Sequence, residues 1–414
     1  MTPGVSSDRV TKEDPYRHGK ISVTWIPPTP YAEIRESRWS TRGWTYQEAA
    51  LSRRRLVFTN HQVYFECRSM ACCKSLRLPL QASLEGTDRD SDCSPFQLPN
   101  LFSITLLDTN GSAPSRRLAT GSLMGIQLTP EKVTTFNTYT NCTERFSHRT
   151  LSFDSDSLNA FGGMIKRFES LQRGTVRHLW GSPFFDPRDD YAPGDIVDYT
   201  GFFLAGLSWR HMATTATPPN PAPRTRSAKQ QQQPPHPVLP RRRKKFPSWS
   251  WTGWEGAVTW PRVDTPSEVR AGDPDTGLAD FRLSFEDKSM RSLPDIRRVP
   301  HGGGPPKMDQ YPKTLLLQTS IVPGDAIPRL GPPGSGEQRF WLRGEPDLEE
   351  ARLVQRIRGG HLKALRLGTI GEAGFLLVVR KKGRSYYRVG LLQVRSAVIT
   401  EGVRDQDVRV FKLK

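Results

Sequence analysis

Ser37-Arg-Trp-Ser-Thr-Arg-Gly-Trp-Thr-Tyr-Gln-Glu48, with Leu51-Ser-Arg-Arg-Arg-Leu-Val-Phe-Thr59 and Val63-Tyr-Phe-Glu-Cys67 close behind, reads as one short helix over 38–52 running straight into a strand hairpin. Leu56-Val-Phe58 and Val63-Tyr-Phe65 flank an Asn60-His-Gln62 turn, the β-branched and aromatic spelling of a hairpin. On a helix Trp44, Gln47, Glu48 and Leu51 fall on one face, being three and four residues apart. Thr45-x-x-Glu48 is also a capping-box pattern, with Trp44 and Ala49 placed as its hydrophobic staple. If the helix begins earlier, Glu48 is instead in reach of Arg42 or of Arg55 on the next strand.

Outward from this stretch the chain alternates between pattern and its absence. Residues 1–36 read as an extended lead-in, and 68–130 as a long irregular insertion rich in Ser, Asp and Pro. Leu158, Phe161, Ile165, Phe168 and Leu171 recur at helical spacing and predict a helix over 154–172. Asp154 or Ser155 would cap it, and Gly162-Gly163 would weaken or break it. Residues 199–209 are apolar nearly all round and predict a short buried helix. A Pro- and Gln-rich linker follows at 211–245, ending in Arg241-Arg-Arg-Lys-Lys245. Beyond it strands are expected at 248–260, 280–286, 313–322, 338–343, 361–367, 374–381, 385–395 and 407–413. Strand alternation would put Trp249 and Trp251 on one face, with Phe202, Phe203 and Trp209 as partners. The fold class expected is α+β, with substantial disordered loops.

Bulk composition narrows the function classes. Hydrophobic residues are 36% of the chain, and Pro and Gly number 35 and 34, which implies much loop around a modest core. Ten tryptophans argue against a fully disordered chain. Net charge is +18, and no acid occurs between Asp198 and Glu255 while nine basic residues do. That segment reads as a solvated linker, or as a nuclear-import or nucleic-acid patch at Arg241–Lys245. No apolar run resembles a signal peptide or a membrane span. Five cysteines, an odd number without a Cys-x-x-Cys pair, suit an intracellular, cytoplasmic or nuclear protein with reduced thiols. Cys67, Cys72 and Cys73 with His61 fit no common zinc spacing, so no metal site is expected. His301-Gly-Gly-Gly304 is spelled like an esterase oxyanion loop, but no Gly-x-Ser-x-Gly elbow accompanies it.

The opening stretch resembles the third conserved block of the fungal heterokaryon incompatibility (HET) domain. Four more segments share the likeness. Thr138-Tyr to Leu151-Ser-Phe-Asp-Ser-Asp-Ser-Leu-Asn-Ala-Phe161, with Arg149, Leu151 and Asp156 in the family's relation, is one. Trp180-Gly-Ser-Pro183 with Leu207-Ser-Trp209 is the next. Phe246-Pro-Ser-Trp-Ser-Trp-Thr-Gly-Trp-Glu-Gly256, carrying Trp249, Trp251 and Trp254, is the closest match, and Tyr387-Arg-Val-Gly390 with Arg409-Val-Phe-Lys-Leu413 is the last. The family's earlier Trp-Ile-Asp strand is not found here, so the likeness begins midway through the signature domain.

The resemblance implies a partial, TIR-like α/β domain over 37–210 packed with a β-rich region at 246–414. It implies nonself recognition linked to regulated cell death, through contacts with other incompatibility or signalling proteins. The expected protein is not an enzyme. The alternative is cleavage of NAD as substrate, with Glu48 stabilising the oxocarbenium-like charge, Arg42 on the diphosphate, Trp44 stacked on the base and Gln47 as a further ligand-binding residue. Trp39, Trp249, Trp251, Trp254 and Asp156 are expected to be structural.

Overall fold

The fold is taken from a computed structural model, which describes residues 33–34, 36–67, 71–73, 132–170, 176–185, 199–212, 240–264, 269–271, 280–284, 290–291, 312–327, 348–396 and 408–414. Helices and strands are both present. The chain divides into two compact units, Met1–Gln127 and Leu128–Lys414. The expected lead-in up to 32, most of the 68–130 insertion, the strand at 338–343 and Leu171 lie outside the described residues.

In the first unit helix α1 (Trp44–Leu51) precedes strands β1 (Arg54–Phe58), β2 (Val63–Cys67) and β3 (Ala71–Cys73), paired in that order. The hairpin is antiparallel, with Leu56 opposite Phe65 and Phe58 opposite Val63. α1 is not capped as its spelling suggests. Gly43 is the N-cap and no side chain accepts there. Thr45 lies inside the helix, and its hydroxyl donates to the carbonyls of Trp39 (2.6 Å) and Arg42 (2.7 Å). That bond folds the preceding turn down onto the helix start, so Thr45 cannot also serve as a cap. At the other end Arg55 reaches back to the Ala49 carbonyl, not to Glu48.

The second unit is built on a nine-stranded sheet. Its elements are β8 (Val269–Ala271), β9 (Asp280–Ser284), β10 (Met290–Arg291), β11 (Thr314–Thr319), β12 (Ile321–Val322), β13 (Lys363–Ile370), β14 (Ala373–Lys382), β15 (Ser385–Arg395) and β16 (Arg409–Leu413). The order is β10-β9-β11-β16-β15-β14-β13-β12, with β8 also on β13. All pairings are antiparallel except β15 with β16.

β14 is buried from Ala373 to Val379, as a strand covered on both faces should be. One face, with Leu376 and Val378, packs under Leu353, Val354 and Ile357 of a helix (Leu348–Arg358) that the hydrophobic pattern did not announce. In chain order that helix is α5. The sheet's β8–β13 portion lies against α4 (Tyr199–Leu207).

The remaining elements are α2 (Lys132–Ser147), α3 (Gly162–Glu169) and two short hairpins, β4 (Val176–Leu179) with β5 (Ser182–Phe185), and β6 (Arg210–His211) with β7 (Val258–Thr259). α2 falls between the expected insertion and the expected helix at 154–172, where no element was expected. Its many threonines hide the stripe Phe136, Tyr139, Cys142, Phe146, all buried. The helix expected over 154–172 is two 3-10 turns, Asp154–Asp156 and Asn159–Phe161, before α3 opens at Gly162. Its apolar residues Leu158, Phe161, Ile165 and Phe168 are nonetheless buried together. Neither Asp154 nor Ser155 caps it; the first turn has Phe153 at its N-cap and no side-chain cap bond.

Residues 248–260 do not form the single strand that alternation suggests. Ser250 caps a 3-10 turn, Trp251–Gly253, and only Val258–Thr259 forms a paired strand. The last residues of the expected linker are also built into the fold: Arg242 bridges to Trp254, and Arg243 is 6% exposed.

Candidate functional site

In the first unit α1 presents Trp44 (39% exposed), Glu48 and Leu51 outward, with Gln47 half-buried and Arg42 exposed just before the helix. Thr45, Tyr46, Ala49 and Ala50 turn inward. The helix thus brings Trp44, Gln47 and Glu48 onto one open face, as their spacing requires. Trp39 is half-buried, and its carbonyl is tied to Thr45. His61 is engaged by the Glu33 carboxylate. Cys67 ends β2 and Cys72 and Cys73 lie on β3, while Cys93 is outside the described residues. Among the described residues no group of His, Cys, Asp and Glu could hold a metal ion.

The second unit gathers the tryptophans. Six indole N–H groups each donate to a backbone carbonyl: Trp180 to Pro312, Trp209 to Trp249, Trp249 to Lys313, Trp251 to Gly181, Trp254 to Ser248 and Trp260 to Gly206. An indole buries a large apolar surface and needs one acceptor, so each ring here fills core and pins a loop at once. Trp251 meets Phe146 and Phe161 edge-on, both centroids at 5.8 Å. Trp249 meets Phe203 at 6.5 Å, and Phe202 pairs instead with Phe136 and Phe185.

The hinge of this cluster is the two-residue turn Trp180-Gly181, where both residues have positive φ, 52° and 91°. This is the primed geometry that a tight hairpin requires, and it is costly for a tryptophan. The turn's carbonyls repay the strain. Trp180 O accepts from the hydroxyls of Ser250 and Thr252, and Gly181 O from Trp251 and from the Tyr139 hydroxyl.

Arg388 is the most buried cation of the cluster, 2% exposed. A register shift between Val378 and Val379 of β14 places a bulge opposite, at Val389, where the in–out alternation of β15 breaks. The guanidinium lies 3.5 Å from the Trp209 ring centroid and donates to the carbonyls of Leu207 (2.6 Å) and Trp209. Leu207 ends α4, so the cation sits at the negative pole of that helix. The last four carbonyls of α4 are all satisfied: Leu204 by the Ser208 hydroxyl, Ala205 by the Ser208 N–H, Gly206 by Trp260 and Leu207 by Arg388. Burial holds the Arg388 pKa well below the ordinary arginine range.

A narrow pocket opens beside it, lined chiefly by Trp209, Arg210, His211, Trp254, Glu350 and Arg388. Its enclosed room is about 20 Å³, enough for a water, within about 410 Å³ that includes the open mouth. His211 stands edge-on to Trp209 and Trp254, with both ring nitrogens shut off from solvent. Burial, with Arg388 adding repulsion and the Ala257 carbonyl offsetting a part, lowers its pKa to about 4. At the rim Arg210 pairs with Glu350 at 3.4 Å.

Arg241 is paired at the surface, and Arg242 and Arg243 are drawn into the fold. Arg241 takes both Asp154 oxygens at 2.8 and 2.7 Å and reaches Glu255 at 2.6 Å. Arg241 first, and Arg243 beside it, hold the Asp154 carboxyl below its usual pKa. Arg242 donates to the carbonyls of Gly253 and Phe246 and stacks over Trp254 at 5.2 Å. Arg243 donates to Ser157 and to the Trp254 carbonyl. Arg241, Lys244 and Lys245 of the run are exposed, Arg241 with its charge paired. Sequence reasoning read this run as solvent-facing because its acidic partner, Asp154, lies 87 residues away. Asp156 is half-buried and accepts from the Ser155 hydroxyl at 3.3 Å. Arg388 was missed as well; inside a strand of alternating pattern nothing local marks a cation that points inward.

No protein-family model, no curated protein and no solved structure matches the chain. Among the described residues no helix is long and apolar enough to cross a membrane.

Proposed function

We propose that this chain is a nonself-recognition protein of the heterokaryon-incompatibility kind, acting on regulated cell death through contacts with other incompatibility or signalling proteins. One observation carries the reading. The segments that resemble the family after its third block are scattered from Thr138 to Leu413, yet they meet in one cluster. Asp154 and Glu255 share Arg241, Phe161 packs on Trp251, Trp180-Gly181 accepts from the Ser250–Thr252 turn, and Arg388 closes Leu207–Trp209. In addition the Ser248 hydroxyl bonds the Lys414 carbonyl and accepts from the Arg388 N–H. A shared spelling that is also a shared set of mutual contacts is a fold signature, because each piece is constrained by the others. Most aromatic rings in it are consumed by packing, which leaves its outer surfaces for partners.

The NAD-cleaving alternative keeps one favourable observation, the open α1 face with Trp44, Gln47 and Glu48 together. Inducible expression of the full chain in fungal hyphae separates the two. The recognition reading expects vital-dye uptake with cellular NAD unchanged, and the same uptake for Glu48→Gln. Hyphae that stay viable while holding folded protein, in every partner background tried, defeat the proposal. Death that tracks NAD loss and disappears with Glu48→Gln moves the function to the enzyme.

A further inference from the structure

We infer that the tip of the β14–β15 hairpin is a binding surface for the phosphate backbone of a nucleic-acid duplex. β14 and β15 are ten and eleven residues long, and β13 accompanies β14 only as far as Val379. Beyond that point Arg380, Lys381 and Lys382 pair only with Tyr387, Tyr386 and Ser385, so the β14 edge is open, while β15 meets β16 at Tyr386. Burial changes at the same place: Ala373 to Val379 are buried, and Arg380 to Arg384 are all exposed. The turn is Gly383-Arg384, with Gly383 at φ 60°, the positive angle that a tight hairpin turn demands.

The ribbon is cationic without compensation. No acid occurs from Ala373 to Arg395 or from Arg409 to Lys414. None of Arg380, Lys381, Lys382 and Arg384 makes an ion pair or hydrogen bond among the described residues. Lys414 adds charge at the base, where its N–H bonds the Tyr386 carbonyl at 3.0 Å, and Lys412 is exposed on the same strand. This contrasts with Arg241–Arg243, whose charges are neutralised or buried.

Four long side chains at the tip of a hairpin match a duplex backbone in sign and spacing. A major groove of about 12 Å admits such a ribbon, and flanking phosphates accept from Arg and Lys. The Tyr386 ring is not free to stack on single-stranded bases. Tyr386 is held between Phe411 (5.3 Å) and the Lys363 ammonium (5.9 Å). Nor does the tip carry an apolar residue that would anchor it in a lipid surface. The contact supplied is therefore phosphate-directed, steep in salt and indifferent to sequence.

The test is fluorescence anisotropy of a labelled duplex of about twenty base pairs with the full chain, from ~50 to ~200 mM salt. The wild type should bind, with affinity falling linearly on a log–log plot. Replacing Arg380, Lys381, Lys382 and Arg384 together by Gln should weaken binding at least about tenfold at the lowest salt and reduce the slope by up to ~4. Lys244→Gln with Lys245→Gln should change neither. Circular dichroism and melting temperature of the fourfold variant should equal those of the wild type, since all four side chains are exposed. Equal binding by wild type and fourfold variant overturns the inference. So does a wild type that ignores the duplex yet binds phosphatidylserine vesicles through the same four residues.

Discussion

The Arg388 guanidinium carbon lies over the Trp209 indole, 3.5 Å from its centroid, while the group bonds the carbonyls of Leu207 and Trp209. An arginine this deep is tolerated because a helix end, two carbonyls and an aromatic face share its charge. Replacing it by a group of similar length without donors tests that balance. Arg388→Met leaves two buried carbonyls unsatisfied, at about 1–3 kcal/mol each, and relieves part of the cost of burying a cation. The expected net loss is about 2–4 kcal/mol, read as a lower urea midpoint. A midpoint at or above that of the wild type would show that the cation is a burden rather than a clamp.

His211 should make stability depend on acid. Its folded pKa is near 4, below the value of about 6.5 that it regains on unfolding. The unfolded chain therefore binds the proton first, so stability is full above pH 6.5 and falls as the pH drops toward 4. His178, also held near 4 by burial, acts in the same direction. His211→Phe keeps a ring between Trp209 and Trp254 and removes one titration. The stability lost between about pH 7 and about pH 4.5 should shrink by roughly 2–3 kcal/mol in denaturant titrations. An unchanged loss would mean that His211 is not neutral when folded.

Gly181 carries two constraints at once. Its φ of 91° is adverse to any side chain, and a Cβ there would lie 2.8 Å from the Trp251 indole nitrogen. Gly181→Ala should cost about 2–4 kcal/mol and broaden or abolish cooperative thermal unfolding. Gly162→Ala is the contrast, since a Cβ there meets nothing within 4 Å. It should leave the melting temperature equal or slightly higher. If both variants melt together, the turn is not the pinned point of the fold.

Around α1 the structure separates two neighbours that share one spelling. Thr45→Val loses the buried hydroxyl bonds to Trp39 and Arg42, and should cost about 1–2 kcal/mol. Glu48→Gln, on the open face and outside any cap, should stay within about 0.5 kcal/mol. Chemical denaturation of the two variants decides it. The reverse order would restore the capping box.

How far the chain could be read from its letters follows from the range of the interactions. The β1–β2 hairpin, α4 and the strands from Ala373 to Arg395 announce themselves, because their signals are apolar residues two to four places apart. α2 stayed hidden because its buried stripe is diluted by threonines, which carry little helical signal. The tryptophan block misled for the opposite reason. Ser248-Trp-Ser-Trp251 alternates like a strand, but Ser250 caps a turn and the rings point to carbonyls of Trp180-Gly181, Lys313 and Ser248.

The sequence alone established that this is a mixed helix-and-strand chain, rich in loops, with a tryptophan-dense segment that has to be buried and two strongly basic runs. Only the tertiary structure decided which of those runs keeps its charge. Arg241-Arg-Arg243 and Arg380-Lys-Lys382 look alike as text. The first is drawn into contacts with Asp154, Glu255 and core carbonyls, and the second extends past the end of β13 with no ion pair among the described residues. A side chain's charge is local, but the group that neutralises it is wherever the chain returns, and no short pattern records that.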